Sequence, residues 1–149
     1  MSYSKKLIAE NVARGVAHEP FWIGKLKSKY PTIVSNNITN KFSKMDAMAI
    51  HNGQVIEFEH KKRNCNHNTF VGLMVNESKL RYSIEQLKKN VRQIYFWSCK
   101  DGIFFWELTD FEKQKHELIF GQNSNKKIGQ PQVDIVDIKT KYLQRFLIT

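Results

Sequence analysis

Long apolar runs are missing from this chain: none approaches the ~18 residues that a membrane-spanning helix needs. The first ten residues reach an acid, Glu10, before any long apolar stretch forms, so neither a spanning helix nor a secretory leader is expected. Cysteine is also sparse. Cys65 and Cys99 are too few for the disulfide framework of a small secreted domain, and they fit reduced thiols in a cytoplasmic setting inside a cell. Three scattered prolines, Pro20, Pro31 and Pro131, exclude a proline-rich linker and act as punctuation between elements. No glycine-rich phosphate loop, nucleophilic cysteine context or Ser/His/Asp order occurs, which leaves P-loop and acyl-transfer chemistry without a foothold.

Acids are scarce as well, with 14 Asp and Glu against 24 Lys and Arg, a formal net charge of +10 that suits a polyanionic partner. Hydrophobic residues make up 41% and aromatics 12% of the chain, too much apolar matter for intrinsic disorder. The 149 residues carry no repeat or low-complexity tract, and a single domain over 1–149 is expected.

The periodicities predict helix at 5–18, and again from Pro20 to Tyr30 on a Phe21, Trp22, Leu26, Tyr30 stripe. A short β-branched strand follows at 32–37. Two apolar runs, 45–51 and 54–61, flank Asn52-Gly53, a dipeptide that supplies the positive φ needed at both positions of a two-residue hairpin turn. Further on come a short strand at 71–75 and a helix at 78–90 with Leu80, Ile84 and Leu87 on one side. Two aromatic strands, 93–99 and 102–108, then meet at Lys100-Asp101. The tail offers a strand near 133–138 and a short helix from Lys141. This order predicts an α+β fold, an α/β sandwich with a central mixed sheet flanked by helices.

Counting outward from Asn52-Gly53 places Asp46 opposite Glu59, with Cβ atoms ~5 Å apart if the turn is the tight one. Strand alternation puts Glu57, Glu59 and Lys61 on that side and Ile56, Phe58 and His60 on the other. Like charges so close call for a cation between them. Oxygen ligands of this kind suit Mg²⁺, with Mn²⁺ as a substitute, and such an ion with a lysine nearby serves phosphodiester hydrolysis. A solvated hairpin face carrying interspersed Glu and Lys is the competing reading.

Asp46, the hairpin and Glu59-His60-Lys61 together resemble the D…(D/E)-x-K signature of the PD-(D/E)XK, or restriction-endonuclease-like, nuclease superfamily, over about residues 18 to 108. The resemblance implies a restriction-endonuclease-like core, a divalent metal and DNA as partner. It makes Asp46, Glu59, Lys61 and Glu19 catalytic: Asp46 and Glu59 as metal ligands, Lys61 as the lysine that organises water, Glu19 as an auxiliary metal acid. Glu57 is a further candidate ligand, because Glu57-x-Glu59 is an alternative acidic pair. Met45 replaces the proline that gives the superfamily its name, a residue often absent among its members. The implied activity is that of an endodeoxyribonuclease of the small phage, mobile-intron (homing) or Holliday-junction-resolving kind, active as a dimer or higher homo-oligomer. A nuclease fold that binds DNA without cutting it is the alternative.

Candidate contacts to nucleic acid are Lys62, Arg63 and Asn64 in the amide-rich loop after the hairpin, and Lys79, Arg81, Lys88 and Lys89 on the following helix. Gln86 and Lys126-Lys127 are weaker members of the same track. His60, Cys65 and His67 invite a zinc reading but lack paired cysteines and a fourth ligand. His18, beside Glu19, fits a helix end. The aromatics Tyr95, Phe96, Trp97, Phe104, Phe105 and Trp106 are expected to build core rather than stack bases.

Overall fold

A computed structural model describes residues 21–35, 45–122 and 134–147. Its architecture is mixed α and β, with sheets of six and three strands and few helices. The helix predicted at 5–18, together with His18, Glu19 and Lys126-Lys127, lies outside the described residues.

The first described element is α1 (Phe21–Leu26), which buries Ile23 and Leu26. It is shorter than the predicted run to Tyr30, because the backbone turns at 27–29 and Pro31 follows. β1 (Val34–Ser35) pairs antiparallel with β2 (Ala47–His51). β2 turns through Asn52 and Gly53, at φ of 53° and 75°, into β3 (Gln54–Lys62). Both turn residues therefore take the left-handed conformation that this dipeptide accommodates best, and His51 faces Gln54 as counted from the sequence.

β4 (Gly72–Asn76) and α2 (Glu77–Lys88) carry the chain back, so that β5 (Arg92–Cys99) runs parallel to β3. A parallel neighbour requires such a crossover, and α2 provides it with Leu80 buried and Ile84 and Leu87 packed beside it. β6 (Gly102–Leu108) returns antiparallel to β5 through Lys100-Asp101.

Beyond β6 the chain departs from expectation. A short helix, α3 (Phe111–Gln114), capped by the Asp110 side chain, and a 3₁₀ turn (Lys115–Glu117) lead to β7 (Leu118–Gln122). The tail strand is β8 (Asp134–Lys139). Where a helix was predicted from Lys141, a 3₁₀ turn (Thr140–Tyr142) passes into β9 (Gln144–Arg145), which pairs with β6 while Phe146 buries itself in the core. The six-stranded sheet has the order β1-β2-β3-β5-β6-β9, and the smaller sheet β4-β8-β7.

The large sheet separates two apolar clusters. Ile56, Phe58, Ile94 and Phe96 pack with α1 and Tyr30 on one side. Tyr95, Trp97, Trp106 and Leu108 pack with α2 and the smaller sheet on the other. Two-sided burial explains why β5 reads as a continuous apolar run with no alternation to water. The aromatics assigned to packing are buried accordingly, except for partly buried Phe105.

Candidate functional site

The hairpin register continues one residue beyond β2. Asp46 donates its backbone N–H to Phe58 O at 2.8 Å, and its Oδ2 accepts the backbone N–H of His60 at 2.9 Å. Asp46 is thus held across from Glu59 at the end of the ladder by bonds on either side of Glu59. Ile56 and Phe58 go to the α1 side, leaving Glu57 and Glu59 on the α2 side, as alternation requires.

Glu59 is 5% exposed. Burial first, then hydrogen bonding to and repulsion from Asp46, push its pKa from the usual carboxylate range to about 8, against the opposing pull of Lys79. At neutral pH this carboxyl therefore keeps a proton beside the Asp46 side chain. Lys79 Nζ, from the first turns of α2, stands 3.1 Å from Glu59 Oε2. The approach is an ion pair without hydrogen-bond alignment, and Oε2 remains buried with no hydrogen-bond partner. Glu59 both holds a proton at neutral pH and presents an unsatisfied buried oxygen, and once that proton is released the two opposed carboxylates are oxygen donors of the kind a hard cation takes.

Glu57 is engaged differently. Its Oε2 accepts from Tyr82 OH at 2.8 Å and its Oε1 from Gln93 Nε2 at 2.9 Å. Gln93 in turn accepts from Ser83 Oγ at 2.8 Å, and Ser83 contacts Tyr95 OH at 2.5 Å. This buried chain ties α2 to β5 through polar atoms that all find partners, which is the arrangement expected of a structural network. Lys61 sits two positions beyond Glu59, half-buried and paired in register with Trp97.

The predicted basic track divides. Arg81 and Lys88 are ion-paired within α2, to Glu77 at 2.6 Å and Glu85 at 3.0 Å, and Lys79 belongs to the carboxylate site. Lys89 lies exposed at the end of α2. Lys62, Arg63 and Asn64 instead line a cleft on the α1 side of β3. The candidate zinc residues are likewise drawn apart: His60 stacks on Trp22 and contacts Ser98 Oγ at 2.7 Å, while His67 contacts Asp101 Oδ2 at 2.5 Å and stacks on Phe104. Burial lowers the His60 pKa to about 4, with Asp46 opposing the shift, so its ring is neutral at physiological pH. Among the described residues no three His, Cys, Asp or Glu side chains gather into a metal-ligating group; the carboxylate site has two acids, with Glu19 outside the described set.

Sequence reasoning missed Lys79 as the partner of Glu59 and missed the Tyr82–Glu57–Gln93–Ser83 network. Gln93 carried a signal, since it is a lone amide at the head of an apolar strand. No helix of the described residues is long and apolar enough to cross a membrane. Compared with protein-family models, curated proteins and solved structures, the chain matches none.

Proposed function

We propose that this chain is a divalent-metal-dependent endodeoxyribonuclease of the restriction-endonuclease-like kind, with Asp46 and Glu59 as metal ligands and Lys61 beside them. The observation that carries the reading is the opposition of Asp46 and buried Glu59 at the end of the β2–β3 hairpin, with an unsatisfied oxygen on Glu59. The element order supports it in part: a helix, three antiparallel strands, a crossover helix and a strand parallel to the third follow the core that the resemblance implies, with β4 of the smaller sheet inserted before the crossover helix.

Mg²⁺ held there supplies Lewis-acid chemistry, offsetting charge on the scissile phosphate and acidifying water. The chain's own contribution is positional. Asp46 is fixed by two backbone bonds, so its carboxylate needs no reorganisation to receive a cation. Glu59 must give up its proton to ligate, so a metal and a proton compete for it and metal uptake is weaker at low pH. Lys61, on the strand face of Glu59, is stationed to hold a phosphate oxygen or the attacking water. Glu57, with both oxygens already accepting hydrogen bonds, supports the scaffold.

Nicking of supercoiled plasmid with Mg²⁺ tests the reading. Asp46→Ala, Glu59→Gln and Lys61→Ala should each lower the rate by about 10²-fold or more while DNA binding in EDTA persists. A wild-type chain that binds DNA and never nicks it contradicts the reading. One observation favours that second outcome, a DNA-binding protein without catalysis: the Lys79 ammonium already stands 3.1 Å from Glu59 Oε2, beside the oxygen a metal would take.

A further inference from the structure

The cleft on the α1 side of β3 has a volume of about 420 Å³, the size of a nucleotide or small-ligand site, and the described residues that line it carry charge of one sign. Among the described residues four cations line it, Lys25, Lys62, Arg63 and Lys100, and no acid does. None of the four makes an ion pair among the described residues, whereas Arg81 and Lys88 on α2 are both neutralised. Backbone bonds build the wall: Arg63 N–H donates to Ser98 O and Lys100 N–H to Cys65 O, both at 2.9 Å, so the loop after β3 is fixed against the end of β5.

An aromatic floor accompanies the charge. Trp22 lies flat on the neutral His60 ring, with centroids 4.5 Å apart and planes 9° off parallel. Phe21, one residue earlier, is 79% exposed, and Lys25 Nζ sits 4.5 Å from its ring centre. A large aromatic left in water costs free energy unless something covers it. Here Lys25 adjoins one part of the ring and Lys62, Arg63 and Lys100 line the same cleft, so the fitting cover is a planar group joined to an anion.

We infer that this cleft binds an unpaired nucleotide segment, with phosphates at Lys62, Arg63 and Lys100 and a base stacked on Phe21. The inference deepens the nuclease reading and rests on its nucleic-acid substrate. In a duplex the base faces are occupied by stacking, so an open aromatic beside phosphate-binding cations selects strands whose bases are free. The cleft and the carboxylate pair lie at the same end of the sheet, where β3 and β5 finish and β2 begins. Asp46 Oδ2 holds the backbone of the very residue, His60, whose ring floors the cleft. The cleft lies on the α1 face of the sheet and the acid pair on the α2 face, so a strand anchored in the cleft reaches Asp46 and Glu59 only by passing around the C-terminal end of β3, a path open to an unpaired strand.

Fluorescence anisotropy of the full chain in EDTA, with a short labelled oligothymidylate and with a labelled duplex, tests this. Wild type should favour the single strand. Phe21→Ala, an exposed position whose loss leaves the circular dichroism unchanged, should weaken single-strand binding about tenfold and leave duplex binding nearly as it was. Lys62→Gln and Lys100→Gln should each flatten the salt dependence by about 0.7 of a logarithmic slope. Unchanged affinity in Phe21→Ala, equal binding of duplex and single strand, or displacement by polyglutamate as effective as by oligothymidylate would each overturn the inference. The two readings fail separately: a chain that never nicks plasmid but loses oligothymidylate in Phe21→Ala sinks the nuclease and keeps the cleft, and nicking with an indifferent Phe21 does the reverse.

Discussion

Lys79 Nζ meets Glu59 Oε2 at 3.1 Å, bringing the start of α2 onto the strand that carries the acidic pair. Helix and hairpin thus meet at the point where Asp46 and Glu59 face each other, and the contact becomes an ion pair when Glu59 releases its proton. Lys79 lowers the cost of holding a buried acid there, but it does not cancel that cost, since the Glu59 carboxyl still titrates near pH 8.

That shift makes stability fall with rising pH in the metal-free protein. Between the ordinary glutamate pKa of 4.5 and about 8, folded Glu59 keeps a proton that the unfolded chain has released. The folded state binds more protons across that window, so its stability declines there and levels off above it. Glu59→Gln removes the titration. Urea denaturation should show the variant matching wild type below about pH 4.5 and exceeding it by roughly 1–3 kcal/mol near pH 9. Parallel curves for the two proteins across the range would mean that Glu59 ionises freely.

His60 shifts in the opposite sense. Its ring, neutral against Trp22, titrates near 4, well below a free imidazole. Stability from this residue is intact above about pH 6.5 and is lost as pH falls towards 4, because the unfolded chain takes up a proton first. The His60 ring resonances in an NMR pH titration should stay at their neutral positions down to pH 5. A midpoint above 6 would contradict the packing described.

Gln93 links Glu57 to Ser83, so its removal takes one partner from each, while Tyr82 still donates to Glu57 and Ser83 keeps Tyr95. Gln93→Leu keeps the volume but leaves Glu57 Oε1 and Ser83 Oγ each short of a partner. The expected cost is about 2–4 kcal/mol in denaturant unfolding, whereas Tyr82→Phe, at the half-buried end of the network, should cost about 1 kcal/mol. Equal, small effects would show that the network is not closed as described.

The hairpin was the most legible part of the fold, because its determinant is local. Asn52 and Gly53 dictate a turn type, the turn dictates the register, and the register brings Asp46 to Glu59 without reference to anything distant. Lys79 was not legible in that way. Its approach to Glu59 depends on α2 crossing back so that β5 lies parallel to β3, a long-range pairing with no mark in the residues around 79. The end of the chain misled for a related reason: 141–147 has the spacing of a short amphipathic helix, yet the open edge of β6 and a place for Phe146 in the core draw it into a strand. β7 went unread because Gly121 interrupts its short apolar run.

Because the register hangs on the turn, Gly53→Val is a sensitive perturbation. At φ of 75° a β-branched side chain is strained. The variant should lose about 1–2 kcal/mol of stability and lose plasmid nicking to a greater degree than that loss explains. Full nicking by a destabilised Gly53→Val chain would show that the opposition of Asp46 and Glu59 is not what activity needs.

The most direct test of that opposition is a calorimetric titration with Mn²⁺ at pH 8.5, where Glu59 has released most of its proton. The account predicts one saturable site in wild type and its loss in both Asp46→Ala and Glu59→Gln, with Glu57→Gln retaining it. A wild-type chain that takes up no Mn²⁺, or a site that survives the loss of either acid, would contradict it.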